Sequence, residues 1–529
     1  MRASGVLLPV FSLPSPHGIG CFSKEAYEWV DFLKLAGQQY WQILPLGPTS
    51  YGDSPYQSFS TYAGNPYFID LEELVEAGFL TRKEVEACDC GKAARDIDYG
   101  KLYENRMPLL KLAYERSLEK PDPKFTAFWT ENAWWLDDYG LFMAVKDIFD
   151  GNSWDQWAED IRYRWDNAMW YYKTNYSKEI GFYVWLQYLF FTQWQKLKKY
   201  ANDKGLKIVG DIPIYVAYDS ADVWAQPELF ERNPAAVAGC PPDGFSADGQ
   251  LWGNPLYRWD HHRNTGYDWW VTRISWCFRL YDVVRIDHFR GFDEYFSIPA
   301  KDKTAVNGHW EKGPGIELFQ VIKARLGEKP IIAEDLGYVT DTVRRMVKES
   351  GYPNMKVLEF AFDSRDSSGA GDYLPHNYEH NCVAYTGTHD NETILGWLSS
   401  IKPEEVQMVR AYLNRPTESK QVLASELVRT TIASVADTCI IPIQDYLGLD
   451  NSARINFPST LGTNWRWRLI KSDLTKALAD SIRKQNIVYG RVMWEDLQED
   501  EKPKDPEEEK ETETEPKQKK DSSVKEAKD

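Results

Sequence analysis

The chain has 529 residues, 43% of them apolar, enough for a large core. Its 80 Asp and Glu against 62 Lys and Arg give a formal net charge of −18, which repels phosphate backbones and anionic membrane surfaces and argues against nucleic-acid and membrane partners. No stretch approaches the roughly 20 apolar residues of a membrane span, and the opening residues break their apolar run too early for a secretory signal, so the expected address is cytoplasmic.

In chain order, apolar runs at 40–46, 65–70, 207–216, 282–289, 330–336, 355–362, 381–386 and 438–446 read as eight strands. Helical periodicity at 23–36, 314–326, 339–350 and 425–436 falls between several of them. This alternation predicts an α/β fold, a (β/α)8 TIM barrel with its site at the carboxyl ends of the strands. The gap at about 71–205 is too long for one crossover, poor in Gly and crowded with Trp, which predicts an inserted helical subdomain whose rings are mostly its own core. A second insertion, about 220–281, carries Pro241-Pro242-Asp243 and Trp252-Gly253-Asn254-Pro255 and reads as a long ordered loop over the mouth.

Barrel and insertions together span 1–498, with no β-rich stretch after the eighth strand to form a C-terminal sandwich domain. From 499 to 529 the chain turns to Glu, Lys, Thr, Pro and Asp with almost no apolar residue, which predicts a disordered charged tail. Seven Cys are scattered, and only Cys88 and Cys90 lie close together. Cys-x-Cys without a second pair or a nearby His is a poor zinc site, so no metal is expected.

Three of the strands run out in acids: Asp287 in Arg285-Ile286-Asp287-His288, Glu334 in Ala333-Glu334-Asp335, and Asp390 in Thr388-His389-Asp390-Asn391. Each run before them is rich in Val, Ile and Ala, as in a strand buried on both faces. Two carboxyl groups, one ionised and one protonated, are the kit for cleaving a glycosidic bond with retention. Arg285 lies two residues before Asp287, so on a strand it shares its face and can orient the carboxylate and hold it ionised.

These segments match, in order and in flanking residues, those of the α-amylase superfamily, and the wider sequence narrows the match. Trp41-Gln42-Ile43-Leu44-Pro45, Ser54-Pro55-Tyr56-Gln57, Ala63-Gly64-Asn65-Pro66, Gly210-Asp211-Ile212-Pro213 and Trp252-Gly253-Asn254-Pro255 resemble the 4-α-glucanotransferases of the amylomaltase, or disproportionating enzyme, type. The resemblance runs nearly to the tail.

It implies a retaining transfer of α-1,4-glucan segments among malto-oligosaccharides, with glucose or malto-oligosaccharides as acceptor and with no cofactor. Asp287 is then the nucleophile, Glu334 the acid and base, and Asp390 with His389 the binder of sugar hydroxyls. The resemblance also gives Asp211 the task of fixing the donor sugar and supporting the arginine. His288 is placed at an acceptor sugar, Ser54, Tyr56 and Asn254 at the subsites, and Tyr51 and Tyr99 at a second glucan-binding patch. A rigid Pro-turn scaffold remains open for the Ser54 segment. Two positions depart from the family pattern: Gly244 replaces a larger residue after Asp243, and Ser459 replaces the usual Gly after Pro458. The rival readings are a hydrolase of the same superfamily, which would use water as acceptor, and an inactive glucan-binding protein.

Overall fold

The computed structural model describes residues 2–50, 52–231, 235–242, 247–337, 339–364, 370–493 and 497, so Tyr51, Gly244 and the 499–529 tail lie outside the described residues. Among the described residues, twelve strands form two sheets. In chain order they are β1 (Ala3–Leu7), β2 (Tyr40–Gln42), β3 (Lys207–Ile212), β4 (Ala236–Cys240), β5 (Gln250–Pro255), β6 (Val283–Ile286), β7 (Glu294–Pro299), β8 (His309–Lys312), β9 (Ile331–Ala333), β10 (Asn354–Val357), β11 (Cys382–Tyr385) and β12 (Thr438–Pro442).

Eight strands run parallel in the order β10-β11-β12-β1-β2-β3-β6-β9. The ring closes between β9 and β10, where Ala333 N–H donates to Pro353 O (2.9 Å). The Asp335 carboxylate reinforces that seam by accepting from Met355 N–H and Asn354 Nδ2, both at 3.2 Å. This is the expected barrel, with one strand reassigned.

The reassignment concerns 65–70. Those residues are not a strand: Asn65 caps a 3-10 turn, Pro66–Phe68, by accepting from Tyr67 N–H (3.0 Å). Pro66 has no N–H to give to a ladder, so a central strand there is excluded. The missing member is β1, whose Ala-Ser-Gly-Val-Leu offers only a short apolar signal but pairs along its whole length with β12. Other strands end sooner than expected, since 358–362 is a 3-10 turn and 443–446 a helical turn.

Inside the ring, Leu7, Val209, Val283, Ile332, Met355, Val357, Val383, Tyr385 and Ile440 form one buried cluster. Outside it, helices such as Lys24–Leu35 and Ser177–Asp203 present their own apolar faces. Between β2 and β3 the chain is helical, dominated by Pro123–Ile148 and Ser177–Asp203 lying against each other. Of its tryptophans, Trp135, Trp154, Trp157 and Trp185 are buried, while Trp134, Trp165 and Trp170 are exposed.

The 220–281 segment contributes more than a loop, because β4 and β5 join β7 and β8 in an antiparallel sheet of order β5-β4-β7-β8. No described helix is long and apolar enough to cross a membrane.

Two long-range ties hold the late part of the chain. Asp96 and Trp467 form a β-bridge, Arg466 pairs with Asp96 (2.5 Å), Arg95 with Asp473 (2.7 Å), and Tyr99 Oη donates to Trp465 O (2.8 Å). At the amino end of the barrel, fully buried Arg491 donates from Nε to Ile432 O (2.7 Å), from Nη1 to Ala3 O (2.8 Å) and from Nη2 to Ala436 O (2.8 Å). Replacing it strands those carbonyls. R491A is expected to lower unfolding free energy by about 3 kcal/mol or more, read from the urea midpoint, while the folded protein keeps its kcat within about twofold.

Candidate active site

Three adjacent strands deliver the charges. Val209 pairs with Val283 and Asp211 with Arg285 between β3 and β6, while Arg285 pairs with Ile332 between β6 and β9. Residues two apart share a face, so the interior column that holds Val209, Val283 and Ile332 continues into Asp211, Arg285, Asp287 and Glu334. The apolar column becomes ionic where the strands run out. Asp287 and Glu334 take equivalent places at the ends of neighbouring strands, because Ile286 pairs with Ala333 just before them, so two carboxyl groups stand side by side, as a retaining displacement needs.

Arg285 is the hub. Its Nη1 donates to Asp211 Oδ2 (2.6 Å), its Nη2 contacts Asp287 Oδ1 (2.9 Å), and its Nε points at Met355 Sδ (3.3 Å). Burial works against its charge, but the Asp211 and Asp287 carboxylates outweigh burial and push its pKa well above the ordinary value. Tyr56 adds a second donor to Asp211, from Oη to Oδ2 at 2.8 Å. Asp211 Oδ1 is buried without a partner among the described residues.

Glu334 Oε2 accepts from His288 N–H (2.7 Å) and Oε1 from Leu336 N–H (2.7 Å). Burial first and the Asp287 charge second raise its pKa to about 7, against the opposing pull of Arg285 and those two N–H groups. Burial also raises Asp287, to about 6, against the pull of Arg285. The Asp287 side chain is 29% open to the pocket and sits directly on the guanidinium, so it loses its proton first.

Asp390 stands beyond β11. Burial would raise its pKa, but the His389 imidazole (Nε2 to Oδ2, 3.3 Å) and Asn456 Nδ2 on Oδ1 (2.6 Å) bring it down to about 2. The buried His389 ring stacks on Tyr56 at 5.2 Å, which ties Asp390 to Asp211 through an ion pair, one aromatic stack and a hydroxyl. Burial opposes the His389 charge, but Asp390 overrides it and the pKa rises. His288 has a left-handed backbone (φ 53°), lies edge-on to Trp252 at 5.0 Å, and leaves its buried Nε2 unpartnered among the described residues. Burial lowers its pKa to about 3, so the ring is neutral.

Asp287, Glu334, Asp390, Arg285, Asp211, His389, His288 and Tyr56 therefore share one pocket. Other expected residues act at a remove. Asn254 spends its amide on Val216 O (2.7 Å) and Gln57 Nε2 (3.1 Å), and Ser54 Oγ accepts from Tyr56 N–H (3.3 Å), so both shape the segment that presents Tyr56. Tyr99 is committed to the Trp465 carbonyl.

The sequence reading passed over three residues that belong at the site. Trp465 sits 5.9 Å from the Tyr56 ring and 6.0 Å from His389. Asn456 and Arg454 hold the Asp390 side chain and carbonyl, Arg454 Nη2 donating to Asp390 O at 2.7 Å. The Arg454-Ile455-Asn456 segment just after β12 was the available signal. Ser459 in the following turn adopts φ 64°, a left-handed conformation that glycine takes without strain.

A closed parallel barrel whose strands end in gathered carboxylates is the frame of a glycoside-processing enzyme. A family model described as 4-α-glucanotransferase matches residues 8–473. A 4-α-glucanotransferase of Clostridium butyricum is 48% identical over 487 residues, covering 91% of this chain and 99% of the relative. One from Thermus thermophilus is 45% identical, covering 90% and 96%. A solved amylomaltase from Streptococcus agalactiae, in complex with acarbose, superposes with a TM-score of 0.90 at 42% identity, covering 93% and 100%. The chain belongs to the 4-α-glucanotransferase family.

Removing Arg285 would leave fully buried Asp211 without its cation. R285M is expected to cost about 3–5 kcal/mol of stability, and D211N/R285M, which removes both charges, to recover much of that loss in a double-mutant cycle. A double variant no more stable than R285M would show that the ion pair is not the cause.

Proposed function

We propose that the transfer proceeds by double displacement on Asp287. Asp287 attacks the anomeric carbon of an α-1,4-glucan while Glu334 gives its proton to the departing glycosidic oxygen. The reducing-side fragment leaves. Glu334, now a carboxylate, then takes the proton from the 4-hydroxyl of a second malto-oligosaccharide or of glucose as that oxygen attacks the glucosyl-enzyme ester, which restores Asp287. Asp390 and His389 bind ring hydroxyls of the donor and favour the positively charged transition state. Asp211 Oδ1 and His288 Nε2, both buried with hydrogen-bonding capacity to spare, are further places for sugar hydroxyls.

The observation that carries this reading is the unequal surroundings of two in-register carboxyl groups, one on the Arg285 guanidinium and one away from it. Tyr56 and Trp465 frame the pocket, and a positioned acceptor can outcompete water because effective molarities of about 10⁵ M or more are open to well-placed groups. The scattered cysteines, only two of which lie close together in sequence, support a reducing, cytoplasmic compartment. The domain reading is a catalytic unit at 1–498 and a disordered tail that takes no part in the chemistry.

With maltotriose as sole substrate, longer oligomers are expected to appear. D287N should remove transfer by roughly 10⁴-fold or more while the protein stays folded. Activity should rise with pH as Asp287 ionises near pH 6 and fall as Glu334 loses its proton near pH 7, a narrow bell whose apparent values belong to the pair. E334Q should collapse turnover of maltotriose, regain part of the first step with a donor bearing a good leaving group, and lack the falling limb there. Near-normal maltotriose turnover by either variant would refute the assignment.

A further inference from the structure

Beneath the turn that carries His389 and Asp390 lies a carboxyl group without a cation of its own. Glu359 follows β10 in the 3-10 turn Leu358–Phe362, is 8% exposed, and gives its backbone N–H to Thr386 O (3.2 Å). Its Oε1 has no hydrogen-bond partner among the described residues. That oxygen lies 3.0 Å from where a Cβ on Gly387 would stand, so a glycine is what lets the turn settle so near it.

Among the described residues, the charges that bear on Glu359 are Asp445, Glu392 and Arg454. Asp445 accepts from Thr386 Oγ1 (2.5 Å) and Ile394 N–H (2.8 Å), and Glu392 accepts from Asn451 Nδ2 (2.5 Å) and Ser400 Oγ (2.7 Å). Arg454 is the cation in reach, and it serves Asp390 O and Asn456 O. Asn391, the polar neighbour from the turn itself, accepts from Thr388 N–H and Oγ1 with its Oδ1 and also hydrogen-bonds the Glu359 carboxyl through its side chain, a contact that pulls the Glu359 pKa down. Burial, then the Asp445 and Glu392 charges, hold the Glu359 carboxyl well above the usual carboxylate range. A site with three carboxyl groups and one committed guanidinium, in which Glu359 and Asp445 are buried and Glu392 and Arg454 half-buried, accommodates the uncharged form of Glu359.

We propose that Glu359 is a positioning residue for the sugar-binding turn: its neutral carboxyl, packed under Gly387, fixes the 386–391 segment so that His389 and Asp390 stand in the pocket with Asp287. Ionised, it would place an uncompensated charge against Asp445 and Glu392 and move the turn. The inference rests on the reading of Asp390 as a glucan-binding group, which D390N tests separately.

The experiment compares full-length E359Q, E359A and D390N with the wild type on maltotriose, with circular dichroism melting across pH. The Gln amide keeps the shape and the neutrality, so E359Q should hold kcat within about twofold. E359A should lose kcat by about 10- to 100-fold with a smaller change in KM, the scale of a misplaced catalytic group. An acid whose pKa is raised on folding stabilises fully below its unfolded value, about 4.3, and loses that contribution as pH rises toward the folded value. The Tm of E359Q should therefore gain on that of the wild type as pH rises from about 4.3 toward the raised folded value. E359Q as inactive as E359A, E359A fully active, or a Tm difference that does not change with pH would each overturn the proposal. Should E359A fail to fold, E359Q decides alone: a folded but inactive E359Q refutes it, and an active E359Q with the pH-dependent Tm gain upholds it. Full activity in D390N would instead overturn the role given to Asp390, while the Tm comparison would still report on the charge of Glu359.

Discussion

A guanidinium sealed inside a barrel between two carboxylates is the constraint on which the rest of the structure depends. Arg285 is 3% exposed and Asp211 is fully buried, so neither charge has water to fall back on. Such a group survives only if its neighbours are in place before the pocket closes. The in-register pairing of β3 with β6 puts them there, because Asp211 and Arg285 are cross-strand partners in the ladder itself. Backbone register is thereby coupled to electrostatics, since a one-residue slip would turn the acid to the opposite face and leave the cation alone.

From that pair outward, the site is a graded series of environments. Asp211 serves the guanidinium and a tyrosine hydroxyl, Asp287 the guanidinium and the open pocket, and Glu334 two backbone N–H groups with no cation in contact. The four carboxyl groups including Asp390 differ less in their own chemistry than in what stands beside them. Differences of that kind let one pocket keep one acid ionised and its neighbour protonated.

What the sequence disclosed follows from where physics writes a local signal. Buried parallel strands that end in charge are conspicuous, so 287, 334 and 390 stood out, and so did Arg285 by its spacing. β1 was lost because three of its five residues, Ala3, Ser4 and Gly5, carry little apolar pattern, its identity as a strand coming from pairing with β12 more than four hundred residues away. The segment at 65–70 reads as a strand because Tyr67, Phe68 and Ile69 form a short apolar run, while the Pro66 turn and the Asn65 cap decide otherwise. Trp465 and Asn456 escaped notice for a different reason: they act through contacts that only the closed tertiary structure creates, with rings and carboxylates contributed by other segments. Ser54 and Asn254 show the reverse, residues with a conspicuous motif whose bonds are spent within the scaffold.

The ties between residues 95–99 and 465–473 carry a consequence for how the protein is made. Trp465 is seated against Tyr56 and His389 by a carbonyl that Tyr99 holds and by the Asp96 bridge to Trp467, contacts that span some 370 residues of chain. Contacts of such long range form late, after the loop-closure entropy has been met. During synthesis the helices between β2 and β3 emerge early and must wait for the last part of the barrel before the aromatic wall can be placed. The pocket is therefore open to solvent, and its carboxylates less desolvated, until almost the whole chain has left the ribosome, so a nascent or C-terminally shortened chain can possess every acid of the site and still lack the closed pocket in which those acids differ.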